Sequence, residues 1–257
     1  MSGVRVRYRA LSVASVLVLG FAWWLVTHLN LVEPLFVPSP RAVLESFIAV
    51  TVRGYRGVTL FEHLAHSMMR VLTGFLLAVV TAVPLGILMG RHRTVRAIFD
   101  PLIELYRPLP PLAYYTLLIV WMGIEDSSKI ALLYLAAFPP LAISSMAAVQ
   151  RIPEHRIECS RCLGVRGFGL LRTVVFPSAL PGIFTGLRVA IGFTYTTLVS
   201  SEIVAAVNGI GWLVLDAGRF LRTDLIFVGI ITMAATGLLL DRLIRLLEAL
   251  VVPWSEE

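Results

Sequence analysis

Few residues of this chain are placed to do chemistry. His155, Cys159 and Cys162 are separated by four and three positions, a spacing that puts all three on one helix face. Cys-x-x-Cys is a pattern that holds metals or cycles between thiol and disulfide. The chain has 2 cysteines in all, so a zinc site would lack its fourth ligand, and reduced packing cysteines facing the cytoplasm are the expected reading. No metal site is assigned. Glu62-His63-Leu64-Ala65-His66 carries its glutamate before the first histidine, the wrong side for a zinc peptidase helix, and both histidines are expected near the outer interface. Lys129 is the single lysine, and it follows Ile124-Glu125-Asp126-Ser127-Ser128. A glycine-rich phosphate loop ending in Lys-Ser/Thr therefore cannot form. With Gly-x-Ser-x-Gly also missing, no catalytic residue and no cofactor is assigned to this chain.

Two further charges stand inside apolar sequence, Arg188 and Glu202. A buried charge costs several kcal/mol unless it is paired or wet. Fourteen residues of helix separate the two by about 21 Å, so they cannot pair with each other. Arg188 is expected to be structural, stitched to lipid phosphate or a neighbouring span. Glu202, beside Ser200 and Ser201, has two readings: a hydrogen-bond anchor, or with those serines a polar wall of an interior passage. A buried carboxylate is a poor partner for an anion, so Glu202 is not assigned to anion recognition.

The elements that must hold these residues are membrane spans. The chain is 58 % hydrophobic and its mean hydropathy is +0.85, which leaves too little polar surface to coat a soluble globule. Crossing roughly 30 Å of hydrocarbon takes about 20 helical residues, and uncharged runs of that order occur at Ala10 to Leu29, Val71 to Gly90 and Ile130 to Gln150. Pro108 to Ile124, Pro181 to Val207 and Leu225 to Leu240 complete a set of six. The fold class is all-α, a polytopic membrane protein forming a single domain over residues 1–257. With a cytoplasmic amino terminus, fourteen arginines fall on inner loops and ends, against five arginines and Lys129 outside. That asymmetry obeys the positive-inside rule and accounts for the net charge of +6 without nucleic acid. The first apolar run, preceded by Arg5, Arg7 and Arg9 and ending in Trp23, Trp24 and His28, is too long for a cleaved signal and reads as a retained anchor. Between the first two spans, Ser39 and Pro40 suit the cap and first turn of an outer surface helix. Val43, Leu44, Phe47, Ile48 and Val50 would be its apolar face.

The segment from about 151 to 180 reads as a cytoplasmic elbow. Pro153 suits a first turn, Glu154 and Glu158 set negative charge near the positive end of the helix dipole, and Gly164 can end the helix in a left-handed conformation. Leu170 to Phe176 would add a second short turn that Pro177 terminates, with Ser178 and Pro181 opening the next span.

The elbow's Glu158-Cys159-Ser160, its glycine six positions after the glutamate and its proline thirteen beyond that resemble the "EAA" loop of importer-type ABC permeases. Cys159 and Ser160 stand where the pattern has paired alanines. Arg107-Pro-Leu-Pro-Pro-Leu-Ala, Val120-Trp-Met-Gly-Ile, Leu133-Tyr-Leu-Ala-Ala-Phe-Pro-Pro and Glu202-Ile-Val-Ala-Ala with Gly209-Ile-Gly are similar to permeases of the taurine, aliphatic sulfonate and nitrate importers. Asp100-Pro-Leu-Ile-Glu-Leu-Tyr-Arg-Pro-Leu-Pro-Pro is most like the taurine members. The resemblance runs from about Trp23 to Trp254. It implies a type I ABC importer permease fold in the cytoplasmic (inner) membrane and a homodimer of permeases. Two cytoplasmic ATPase subunits would bind ATP and Mg, and an external binding protein would deliver a small sulfonate, taurine before an alkanesulfonate or nitrate. It also implies that Glu158, Cys159, Ser160, Arg161, Gly164 and Pro177 couple the permease to the ATPase. A secondary transporter would instead need intramembrane ion sites and broken helices; Pro84, Pro139 and Pro140 could break spans, but no acidic cluster accompanies them.

Overall fold

The computed structural model describes residues 2–254, with side chains from Ala14 onward except Val16. Arg5, Arg7 and Arg9, which contribute to the charge asymmetry, lie outside the described side chains. Helices account for the regular structure: α1 (Ser2–His28), α2 (Pro40–Val52), α3 (Leu60–Arg91), α4 (Arg93–Tyr106), α5 (Pro111–Met122), α6 (Asp126–Gln150), α7 (Glu154–Cys162), α8 (Gly167–Leu170), a π-helical turn (Leu171–Val175), α9 (Phe176–Ala205), α10 (Ile210–Arg219) and α11 (Thr223–Val251). Four runs are long and apolar enough to cross a bilayer: α3, α6, the continuous stretch Gly167–Ala205, and α11. Leu17–His28 of α1 and α5 are shorter apolar helices. Each of the six expected apolar runs is thus helical, and among the described residues four of them reach the length of a span.

Helices α3, α6 and α9 form the core. In a bilayer, helices gain nothing by hiding apolar surface from lipid that is equally apolar, so they associate through close packing of small residues. Gly86 shows how close the approach is: a Cβ there would lie 2.4 Å from the Ala142 carbonyl oxygen and 2.6 Å from the Ser145 Cβ. On the other flank of α6, a Cβ on Gly186 would meet the Ser144 Cβ at 2.5 Å. Val71, Ala78, Ala82, Leu133, Ala137, Leu141, Ala142 and Ala190 fill the seams and are fully buried. Outside this core, Leu17, Val18, Leu19, Leu76, Leu77, Val80, Leu238 and Leu239 are exposed, as lipid-facing residues must be. Pro84, Pro139 and Pro140 lie within α3 and α6 without ending either helix.

One flank ends in a smaller cluster where α2, α10 and the start of α11 meet. Ser39 caps α2 by accepting from the Ala42 N–H at 3.2 Å, as its position predicts. Only Val43 and Val50 of the expected apolar face are buried; Leu44, Phe47 and Ile48 are exposed. Positions 43, 46 and 50 share the face that meets α11, where the Ser46 hydroxyl donates to Asp224 at 2.5 Å, and the remaining apolar side chains turn away from it. Trp23 fixes α1 to the same flank, stacking on Phe227 at 5.6 Å and donating its indole N–H to the Pro38 carbonyl at 3.0 Å.

Pro177 does not terminate a helix. Helix runs without interruption from Gly167 to Ala205, and Pro177 sits in the first turn of α9. A proline ring inside a helix collides with the carbonyl four residues back, here Thr173. The π turn lies over that carbonyl, with the Phe176 N–H reaching back five residues to the Leu171 carbonyl. The wider turn makes room for the ring.

Candidate functional site

The elbow forms at one end of the bundle. Pro153 precedes α7, whose nine residues include none that is buried. Ile157 and Val165 lean on the core, and the buried Ile152, Leu170 and Val175 fix the two roots of the elbow. Gly164 has φ +86°. Its N–H donates to the Arg161 carbonyl at 2.9 Å, while the Val165 N–H donates to the Ser160 carbonyl at 3.0 Å. That pair of bonds is a Schellman closure, which needs the left-handed residue at position 164. The Arg156 guanidinium donates to the Ser178 hydroxyl at 3.2 Å, tying α7 to the start of α9. Glu158, Cys159, Arg161 and Gly164 are exposed, Ser160 and Pro177 half-buried. Cys159 and Cys162 are free and exposed, so they are not packing residues. Leu163 and Phe168 stand 84 % and 75 % exposed beside them, which makes the elbow a firmly rooted platform with an apolar and basic top.

At the opposite end, α3, α6, α9 and α10 meet in a buried polar cluster. Its centre is Arg70, 2 % exposed. Its Nε and one terminal nitrogen each lie 2.8 Å from Asp126 Oδ1. The other terminal nitrogen donates to Glu202 Oε1 at 2.8 Å and to the Asn208 carbonyl at 3.1 Å. A further bond runs from the guanidinium to the Asn208 side-chain oxygen. Glu202 is fully buried and also accepts from the Ser67 hydroxyl at 2.7 Å and the Gly211 N–H at 2.8 Å. Lys129 closes the edge, with Nζ 3.6 Å from Asp126 Oδ1 and donating to the carbonyls of Ile124 and Glu125.

This cluster caps α10 from outside. The first N–H groups of a helix have no partner within it. Here the Gly209 N–H donates to His63 Nδ1 at 3.0 Å, the Ile210 N–H to the Ser67 hydroxyl at 3.0 Å and the Gly211 N–H to Glu202. The positive end of the α10 dipole therefore faces the Glu202 carboxylate, which favours its charge. Gly209 has φ +114°, and a Cβ there would fall 2.3 Å from Glu202 Oε1, so the backbone can enter the cluster only without a side chain. Beside it, the buried Asp216 accepts from the Tyr55 hydroxyl at 2.9 Å and pairs with Arg56 Nε at 2.8 Å. Burial, then the bond to Asp216, pushes the Tyr55 hydroxyl above its ordinary pKa, so it stays protonated and donating.

The structure thus gives Glu202 a full set of partners and Ser201 a buried one, its hydroxyl donating to the Leu198 carbonyl at 2.7 Å. Ser200 is half-buried. Arg188 pairs across spans with Asp241 at 3.2 Å, a neighbouring-helix partner. His63, in the first turn of α3, is fully buried, stacks on Trp212 at 5.6 Å and accepts from the Gly209 N–H. Sequence reasoning missed the cluster although its signal was present. His63, Ser67 and Arg70 recur at intervals of four and three on α3, one polar face on an otherwise apolar span.

A model of the family described as "binding-protein-dependent transport system inner membrane component" matches residues 82–252. The taurine transport system permease protein TauC of Escherichia coli (strain K12) is 43 % identical over 98 % of this chain and 92 % of its own length. The putative aliphatic sulfonates transport permease protein SsuC of the same organism is 34 % identical over 91 % and 87 %. The nitrate import permease protein NrtB of Synechocystis sp. is 31 % identical over 86 % and 82 %. Among solved structures, an inward-facing form of the MetNI methionine ABC transporter aligns with a TM-score of 0.59 at 21 % identity, covering 72 % of this chain and 94 % of that one. It supports the helical fold alone. With the family model spanning most of the chain and these relatives nearly all of it, the chain is a multi-pass membrane protein that belongs to the permeases of the taurine, aliphatic sulfonate and nitrate ABC importers.

Proposed function

We propose that this chain forms the path by which an ATP-driven importer carries a small sulfonate, taurine, across the cytoplasmic membrane. The observation that carries the reading is the 43 % identity to a taurine permease, sustained over 98 % of the chain. In this reading two copies of the permease enclose the path, an external binding protein delivers the solute, and two ATPase subunits bind ATP and magnesium on the cytoplasmic side. The amino terminus is cytoplasmic, which puts the arginine-rich elbow on the ATPase side. Glu158, Cys159, Ser160, Arg161, Gly164 and Pro177 belong to the coupling surface, and exposed Leu163 and Phe168 give it an apolar anchor. ATP-driven closure of the ATPases would move both elbows and rock the spans between two packings. Of Ser200, Ser201 and Glu202, only Ser200 is assigned to the wall of the path. Glu202 is an anchor of the end distant from the elbow.

The test is uptake. A strain lacking its own sulfonate importers, supplied with this permease and the ATPase and binding protein encoded beside it, should accumulate labelled taurine, with alkanesulfonates competing weakly and nitrate not at all. Uptake inhibited by an alkanesulfonate or by nitrate more strongly than by unlabelled taurine would reassign the solute.

A further inference from the structure

Halfway along the bundle, α5, α6 and α9 part around a side cavity of about 290 Å³, just under the roughly 300 to 1,000 Å³ typical of small-molecule pockets. It lies well away from the Arg70 cluster and from the elbow. Its depth follows from the helices, because Leu135 and Ala136 are close to the midpoint of α6 and Val189 to that of α9.

Most of the wall is apolar; Tyr114, Ser144 and Thr197 also line it, and two further sets of polar groups stand out. Arg107 lines the cavity from the α4–α5 connection and pairs with no carboxylate among the described residues. Beside it, Tyr106 packs on Tyr114 at 5.2 Å, with its hydroxyl buried and without a hydrogen-bond partner. An unpaired guanidinium next to the adjoining hydroxyls of Tyr106 and Tyr114 is a site for an oxyanion. The second set comes from the backbone. Pro139 and Pro140 lie inside α6 and have no N–H, so the carbonyls of Leu135 and Ala136, four residues back, lose their helical donor. Both of those residues line the cavity. Two carbonyl oxygens deprived of their usual donors and bordering a mostly apolar cavity suit an ammonium group.

We infer that this cavity is a transit site for a small zwitterionic sulfonate, with Arg107 and Tyr106 meeting the sulfonate and the proline-freed carbonyls of Leu135 and Ala136 meeting the ammonium. The inference rests on the sulfonate-importer reading and adds to it a binding site within the permease. It also gives the consecutive prolines of α6 a chemical use: a helix that exposes acceptors without breaking.

The experiment is taurine uptake by the complete importer carrying Arg107→Gln, read beside membrane abundance and ATPase stimulation by the loaded binding protein. A charge-assisted hydrogen bond lost from the site should lower uptake by about tenfold while abundance and stimulation stay at wild-type levels. Arg107→Lys, which keeps the charge and loses the fork, should recover part of the loss. Uptake by Arg107→Gln within twofold of wild type overturns the inference, and so does a parallel loss of ATPase stimulation, which would make Arg107 a coupling residue. If Arg107→Gln does not reach the membrane, Pro140→Ala decides. It restores a backbone donor to the Ala136 carbonyl and so should not weaken the helix, yet it should lower taurine uptake severalfold, and unchanged uptake overturns the inference. Failure of the wild-type importer to move any sulfonate would instead remove the functional reading beneath it.

Discussion

Arg70 and Glu202 are buried together, and such a pair is held by geometry more than by net energy. Two charges taken from water lose several kcal/mol of hydration each, which their attraction and hydrogen bonds must offset. Here every oxygen of Glu202 and every nitrogen of Arg70 has a partner, and the acceptors and donors come from separate segments of the chain. Removing one member strands the other. Arg70→Met should therefore destabilise the detergent-solubilised permease by about 3 to 5 kcal/mol, seen as a lower melting temperature. Adding Glu202→Gln to Arg70→Met should restore part of that loss, because the amide keeps the size and abolishes the stranded charge. Equal losses in the single and double variants would show that the two residues are not coupled. Single-residue inspection of the sequence stopped short of this pairing. The 21 Å estimate separates Arg188 from Glu202 along one helix, whereas the true partners, Arg70 and Asp241, are remote in sequence and become neighbours only through packing.

The elements were legible wherever a local signal fixes them. Six apolar runs, the Ser39 cap and the left-handed Gly164 all follow from rules acting within a few residues. Two features needed tertiary context. Helix α10 begins in Asn-Gly-Ile-Gly, a poor start by propensity, and forms because its first N–H groups find His63, Ser67 and Glu202 on other helices. The unbroken passage through Pro177 needed a π turn, for which sequence has no sharp signature. The elbow is therefore joined to the span that follows it by the Arg156–Ser178 bond and by a helix that is continuous from Gly167 onward. Gly164→Asp tests that use of the element. Aspartate tolerates the left-handed region better than most residues, and a Cβ at 164 meets nothing within 4 Å, so the elbow itself should survive. A carboxylate on its exposed, basic face should lower ATPase stimulation by substrate about tenfold, measured on purified complex with permease abundance unchanged. Full stimulation would detach Gly164 from the coupling surface.

For the whole molecule, the distribution of exposed apolar surface is the main constraint. Helices α3, α6 and α9 bury one another, whereas α5 and the outward side of α9 carry Leu112, Val120, Trp121, Val189 and Phe193 uncovered. Helix α5 is only 12 residues long, shorter than the roughly 20 needed to cross the hydrocarbon. A short helix flanked by a charged connection at Arg107 is poorly matched to lipid along its whole length and well suited to protein or a water-filled passage. Pro84 and Ala113 are exposed and Ser200 is half-buried, so each can present a side chain to a second copy across a shared axis. A single chain with six apolar helices also has few elements with which to enclose a gated passage once three of them are packed into its own core. Cysteines placed at Pro84, Ala113 and Ser200, one at a time in a chain whose Cys159 and Cys162 are serine, should therefore form permease–permease crosslinks in membranes under mild oxidation. Ala113 should react most readily, because it lies on the exposed short helix. The yield at Ala113 should change when ATP and loaded binding protein are added, since rocking the two copies alters distances at the axis more than at the lipid-facing flanks. Leu238→Cys, on the exposed side of α11, serves as the reference and should remain monomeric. Crosslinking confined to position 238, or a purified importer whose mass accommodates one permease only, would require a passage built within a single chain.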